Sequence, residues 1–199
     1  PRILLEDKSF GIMDVKSNIS LESLINGQFT IKSLEINTKE INLNDIISLI
    51  RIFQNSPHLF VLDKVIKDGL VSASIDLNFD ENGKIKKDYK VKGFANKVKL
   101  NILNKFILKD SSFKFNIYED SYLLKKIEIN LNNVKINSPS IEIEKKKKLF
   151  FINGQFYTDK KNFDLTKNNQ VFDELYNDIG LQKIEFSSKN DFSLNVNKN

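Results

Sequence analysis

The chain has 199 residues, 40% of them hydrophobic and 29% charged, with a net charge of +5 and no cysteine. This composition is typical of one folded unit, and it excludes disulfides and thiolate metal sites. No apolar run reaches the ~20 residues that a membrane-spanning helix needs, and no signal-peptide pattern is present. Because the chain begins with Pro1 instead of Met, we expect residues 1–199 to be one β-rich segment of a larger protein.

The first quarter of the chain predicts short strands that lead into a helix. Spaced apolar residues indicate strands at Phe29–Ile31, Leu34–Ile36 and Ile41–Leu43. The stretch NLNDIISLIRIFQ then has apolar residues at helical spacing, with Asn44 as the expected N-cap.

A second amphipathic helix is predicted from SPHLFVLDKVIKDG. Ser56 is the expected N-cap and Pro57 the first helical residue, while Gly69 lies just past the expected end.

Between Gly69 and Ile102, apolar and polar side chains alternate, with one break at a turn. Val71, Ala73 and Ile75 point to one side of the predicted strand, and the intervening serines and aspartate point to the other. The sequence Asp-Glu-Asn-Gly at residues 80–83 separates two alternating runs, which predicts a hairpin turn. The sheet is therefore expected to be apolar on one side only.

The alternation continues at residues 113–117, 127–131, 134–136 and 141–143, and a third helix is predicted over residues 168–180. We count about ten to thirteen strands. The predicted fold is mainly β: an elongated, curved antiparallel sheet that forms a groove, with two or three short amphipathic helices.

Two pairs of similar segments suggest a long internal repeat. VLDKVIKDGL resembles VFDELYNDIGL, and INGQF occurs at residues 25–29 and again at 152–156. These pairs predict repeat units at about residues 20–136 and 150–199, the second one incomplete.

The sequence offers little catalytic or metal chemistry. His58 is the only histidine, and no nucleophile elbow, P-loop or dinucleotide-binding motif is present. Asn78, Asp80 and Asn82 imitate half of a calcium loop, but Tyr89 stands where that loop needs a bidentate glutamate. We therefore expect no enzymatic activity, no metal site and no cofactor.

The lysine run at residues 145–148 has two interpretations: contact with anionic phosphate or headgroups, or a solvated loop, which we favour. Most of the 16 phenylalanines occupy in-phase apolar positions, so the aromatic side chains that single-stranded nucleic acid would stack on are expected to be buried. We therefore expect no nucleic-acid partner.

The predicted apolar face is too wide for the predicted helices to cover. Ten strands spaced about 4.8 Å apart span about 48 Å, whereas each helix covers about 10 Å. An uncovered face of that size would exceed the few hundred Å² that soluble proteins usually expose. The sheet could close as a barrel, fold as a sandwich, or remain a curved trough lined by apolar side chains.

The segments NGQFTIKSLEINTKEINLNDIISLI and VIKDGLVSASIDLNFDENGKI, with KVKGFANKVKLN after them, resemble the AsmA-like family, which includes the TamB and YhdP groups of the bacterial envelope. The similarity covers residues 27–136 and 153–196. The similarity lies in the positions of the alternating apolar residues and of the glycines, so no single functional residue is carried over.

The resemblance implies a periplasmic β-groove protein that is anchored to the inner membrane by a segment outside these residues. Such proteins are expected to carry phospholipid acyl chains between membranes or to assist outer-membrane assembly, with other envelope proteins as further partners. A structural or adhesive β-sandwich or solenoid that binds other proteins is the alternative. The expected lipid-binding groove lining is Val71, Ala73, Ile75, Leu77, Phe79, Tyr89, Val91, Val98, Leu100, Ile102, Phe113, Phe115, Ile117, Ile127, Ile129 and Leu131.

Overall fold

The computed structural model describes residues 2–5, 8–25, 30–47, 64–102, 106–131, 134–146, 149–164 and 182–197. These residues form eleven β-strands and a short helix, α1 (Leu21–Ile25). The strands are β1 (Arg2–Leu5), β2 (Lys8–Ile19), β3 (Ile31–Thr38), β4 (Ile41–Asn42), β5 (Ile66–Asn78), β6 (Lys90–Ile102), β7 (Phe106–Ile117), β8 (Ser121–Leu131), β9 (Val134–Lys146), β10 (Leu149–Asp164) and β11 (Lys183–Asn197).

All eleven strands belong to one antiparallel sheet. Ten of them follow the order β1-β2-β3-β5-β6-β7-β8-β9-β10-β11, and β4 pairs separately with the beginning of β5. The sheet is open and curved, with β1 and β11 at its two ends. The predicted mainly β fold with few helices is confirmed, and among the described residues there is neither a closed barrel nor a second sheet.

The first predicted helix has its N-cap two residues earlier than expected. Residues 43–47 are helical, and the side chain of Asn42 accepts a hydrogen bond from the backbone N–H of Asn44 at 2.9 Å. Asn42 is therefore the N-cap, and the expectation for Asn44 was wrong. Both asparagines suit the role chemically, and the pairing of β4 with β5 decides where the strand ends.

The predicted end of the second helix was also wrong. Residues 64 and 65 are helical, but β5 already begins at Ile66, so Gly69 lies inside a strand with φ +150°. A Cβ at Gly69 would lie 3.2 Å from the Cα of Val98. Glycine is needed here because of this backbone angle and the close approach of β6. The earlier part of this helix and the third predicted helix fall outside the described residues.

The predicted hairpin turn lies between β5 and β6. The backbone N–H of Gly83 donates to the carbonyl of Asp80 at 3.0 Å, and Gly83 has φ +73°. The Asp80 carboxylate accepts the N–H groups of Asn82 and Lys84, both at 2.9 Å. The carboxylate that imitates a calcium ligand thus caps the turn.

Three neighbouring strands carry a residue with positive φ at a similar level: Lys97 in β6, Asp110 in β7 and Lys126 in β8. The pairing of β6 with β7 and of β7 with β8 shifts register near these residues. A bulge bends its strand and increases the local twist, so neighbouring bulges bend the sheet along one line. We call the line through Lys97, Asp110 and Lys126 the crease.

At one end of the sheet, side chains from two strands meet across the strand between them, which shows that the sheet curves there. Val134 on β9 packs with Ile136, and with Ile184 and Phe186 on β11, although β10 separates these strands in the sheet. Substantial contacts between described elements otherwise join only neighbours in the sheet. The domain is thus a single curved layer over its described residues.

Candidate binding face

One uninterrupted row of apolar side chains crosses nine strands. Residues that face each other in an antiparallel pair project from the same side of the sheet. The register therefore places on one face the successive partners Val15, Ile36, Ile75, Val91, Ile117, Tyr122, Ile143, Ile152 and Leu194. We call this side of the sheet the apolar face.

A second row runs parallel to the first, one pleat closer to the crease. It consists of the successive partners Ala73, Gly93, Phe115, Leu124, Ile141, Gly154 and Phe192. The rings of Phe115 and Phe192 lie over Gly93 and Gly154, since a Cβ on either glycine would meet the facing ring within 3 Å. The aromatic rings thus keep the row continuous at the two positions where β6 and β10 have a glycine.

The predicted lining residues lie on this face where their strands and side chains are described. Val71 and Ala95, Ala95 and Phe113, and Leu108 and Leu131 are paired neighbours on it. Phe79 forms an isolated bridge with Ile85, and Tyr89 precedes β6. The Ile102 side chain lies outside the described part of the structure. The role of the set in binding lipid stays a prediction.

Burial divides the apolar face into two zones. Near the crease, Val71, Ala95 and Val98 are only 1–2% exposed, and Ile127 is 4% exposed. In the row through Ile75, the side chains from Ile36 to Ile152 are half-buried, and the flanking Val15 and Leu194 are 47% and 53% exposed. The floor of the apolar face, near the crease, is therefore packed, and its flank is accessible.

Several members of the face were missing from the predicted lining, among them Ile36, Leu124, Ile143, Ile152 and Leu194. Ile36, Ile143 and Leu194 have polar neighbours on both sides in the sequence, whereas Leu124 and Ile152 each follow another apolar residue. Their membership depends on register with distant strands, and sequence alone does not provide it.

Two of the buried hydroxyl groups, those of Thr38 and Ser111, have different surroundings. Thr38 Oγ1 accepts a hydrogen bond from the backbone N–H of Ala73 at 2.9 Å. Ser111, opposite Val98, is 2% exposed, and its Oγ has no hydrogen-bond partner.

The opposite side of the sheet, the polar face, carries charged and amide groups. Asn37 donates hydrogen bonds to Asp14 at 2.9 Å and to Glu35 at 3.0 Å, and Lys16 pairs with Glu35 at 3.4 Å. The Asn37 hydrogen bond, then that of Lys16, lowers the pKa of Glu35 below its ordinary value of 4.5. Glu35 is thus ionised at neutral pH and is poorly suited to act as a general acid.

No group of three or more His, Cys, Asp or Glu side chains in the described ranges is placed to hold a metal ion. Within the same ranges, no helix combines the length and the apolar character needed to span a bilayer.

Comparison of the chain with protein-family models, with curated proteins and with solved structures gave no match. The geometry of the two faces is therefore the basis on which function is argued.

Proposed function

We propose that this chain is a non-enzymatic segment of an AsmA-like protein whose apolar face shields lipid acyl chains. The observation that carries the proposal is the continuous row from Val15 to Leu194, half-buried on an open, curved sheet. An unbranched hydrocarbon chain that moves along this row would pass nine strands without meeting a charged side chain.

The free energy of lipid binding would come mainly from the burial of apolar surface area. Removing apolar surface from water contributes about 25 cal/mol per Å², and both the acyl chain and the apolar face would lose exposed surface on binding. Because dispersion and hydrophobic burial are not directional, a lipid could move along the row without chemical steps. Headgroups would remain in solvent at the open edge of the sheet.

In the cell, we propose a periplasmic location with an anchor in the inner membrane outside this segment, and phospholipid transport or outer-membrane assembly as the process served. These statements are supported by the family resemblance and by the hydrophobic character of the face. The proposal involves no cofactor and no nucleic acid. Envelope proteins are its further partners.

The first test is a charge placed in the row. Ile75→Asp puts a carboxylate among Ile36 and Val91, so we expect loss of co-purifying phospholipid in native mass spectrometry and loss of lipid transfer between vesicles. Ser74→Asp is the matched control, because the same charge then projects from the polar face towards Lys92. Normal lipid transfer by Ile75→Asp would refute the proposal.

A second pair of variants keeps the test informative if Ile75→Asp folds poorly. Leu194 is 53% exposed at the outer strand, so Leu194→Asp has little effect on folding while it interrupts the same row. Ser193→Asp is its control on the opposite side. If purified wild-type protein carries no lipid and Leu194→Asp impairs only binding to another protein, the structural or adhesive alternative is correct.

A further inference from the structure

The positive charge of the chain is concentrated in three neighbouring strands. Strands β6, β7 and β8 contain eight lysines against Asp110 and Glu128, a net charge of +6, whereas the whole chain carries +5. The remainder of the chain is thus slightly acidic. The lysines look evenly spread in the sequence, but the order of the strands gathers an excess of them in the middle of the sheet.

All eight lysines are exposed, and none makes an ion pair with a residue that the structure describes. The dense run noted in the sequence behaves differently. Lys145 pairs with Asp120 at 3.4 Å and Lys146 pairs with Glu144, so its described lysines are neutralised. Lysines without an ion pair among the described residues are therefore densest in β6–β8.

The centre of this surface is on the polar face, where Lys92, Lys114, Lys125 and Phe94 lie. Phe94 is opposite Lys114, and Lys114 is directly opposite Lys125 in the next strand. Like charges at directly opposed positions destabilise a sheet. Phe94 is 39% exposed between these strands. An unfavourable charge pair next to an exposed aromatic ring is typical of a surface that is complemented by a partner.

We propose that this basic surface, defined by Lys92, Phe94, Lys114 and Lys125, docks on the anionic headgroups of a membrane. Its three lysines lie on three adjacent strands, about 10 Å across and about 7 Å along the strands, so they face an anionic layer together. These strands contain no arginine, whose planar fork favours individual phosphates. Phe94 would enter the interface between headgroups.

The docking surface is on the side of the sheet opposite the apolar row, so it is independent of the proposed lipid groove. A chain held by its polar face would keep its apolar face directed away from that membrane. The same segment could then be positioned by headgroups while acyl chains bind on the other side.

The test is co-sedimentation of the purified chain with vesicles. We expect binding to phosphatidylcholine vesicles that contain phosphatidylglycerol, and none to pure phosphatidylcholine. Replacing Lys92, Lys114 and Lys125 with glutamine should lower the partition coefficient about 100-fold. Raising the ionic strength to about 1 M, where the Debye length is about 3 Å, should abolish the wild-type binding.

The matched control replaces Lys84, Lys183 and Lys189, which are exposed elsewhere, with glutamine and thus makes the same change in net charge. It should bind almost as wild type. Equal loss in both triple variants would overturn the proposal, as would no preference of the wild type for anionic vesicles. Tighter binding of a single-stranded oligonucleotide than of vesicles, lost in the first triple variant, would assign the surface to nucleic acid and would also overturn it.

Thermal unfolding separates docking from folding. Because Lys114 and Lys125 repel each other, Lys114→Gln is expected to leave stability unchanged or to raise it while vesicle binding falls. Ile75→Asp should retain vesicle docking, so failure of the groove proposal and failure of this one give different results.

Discussion

Phe115 lies across Gly93 on the apolar face, so closely that a Cβ on Gly93 would be 2.8 Å from Phe115 Cε1 and 2.5 Å from the carbonyl oxygen of Ser72. The ring covers the backbone of the neighbouring strand and fills the space that a side chain would occupy. The same arrangement recurs at Gly154, where a Cβ would be 2.8 Å from Phe192 Cζ. Two positions of the second apolar row thus depend on a glycine and a facing ring.

Gly93→Ala is expected to lower the free energy of unfolding by about 2 kcal/mol, because both the ring and a backbone oxygen must move. Gly154→Ala should cost less, about 1 kcal/mol, since the atoms nearest to the new Cβ belong to side chains that can shift. Gly11→Ala is the control: its Cβ would meet Lys39 at an ordinary 3.4 Å, and stability should be unchanged or slightly higher. Urea titrations of the three variants measure these differences, and an equal effect at all three sites would contradict the argument.

Removal of the buried hydroxyl groups of Thr38 and Ser111 should change the stability in opposite directions. Thr38→Val removes the acceptor of the Ala73 N–H, which leaves a buried donor unpaired and lowers stability by about 1–3 kcal/mol. Ser111→Ala removes a hydroxyl that has no partner, so stability should stay constant or rise by up to about 1 kcal/mol. Chemical denaturation of both variants decides this. A large loss in Ser111→Ala would show that its hydroxyl has a partner in solution.

Tyr89 provides a pH-dependent signal at the edge of the apolar face. Burial, with a smaller contribution from the neighbouring phenol of Tyr122, raises the pKa of Tyr89 above its ordinary value of 10.0. The folded state therefore favours the neutral phenol. Its contribution to stability is complete below about pH 10, the unfolded value, and is lost as the pH rises through the higher folded pKa. Ultraviolet titration should detect a phenol that titrates late, and this signal should disappear in Tyr89→Phe but not in the control variant Tyr118→Phe.

If acyl chains occupy the apolar face, they should bury Tyr89 further and raise its pKa again. The titration should then shift to higher pH when phospholipid is added to delipidated protein. An unchanged titration of protein that demonstrably carries lipid would place the lipid away from Tyr89.

The alternation of side chains was sufficient to predict β5, the turn at Asp80–Gly83 and the side to which Val71, Ala73 and Ile75 project. This is because the two-residue period of a strand and the chemistry of a turn are local properties. The early strand β2 was missed for a local reason as well. A register shift between Ile12 and Asp14 interrupts its alternation, so no continuous pattern identifies it.

The tertiary structure decided which residues share a row, where the sheet bends and how charge is distributed. Ile75 and Leu194 are far apart in sequence, and only a chain of cross-strand pairs places them on one line. The crease depends on bulges at neighbouring positions of β6, β7 and β8, each of which shifts the alternation of its strand. The sequence of one strand does not show that the bulges lie side by side. The lysine surface has the same origin: hydrogen bonding between strands sets Lys114 opposite Lys125, a pairing that depends on register and not on residue type.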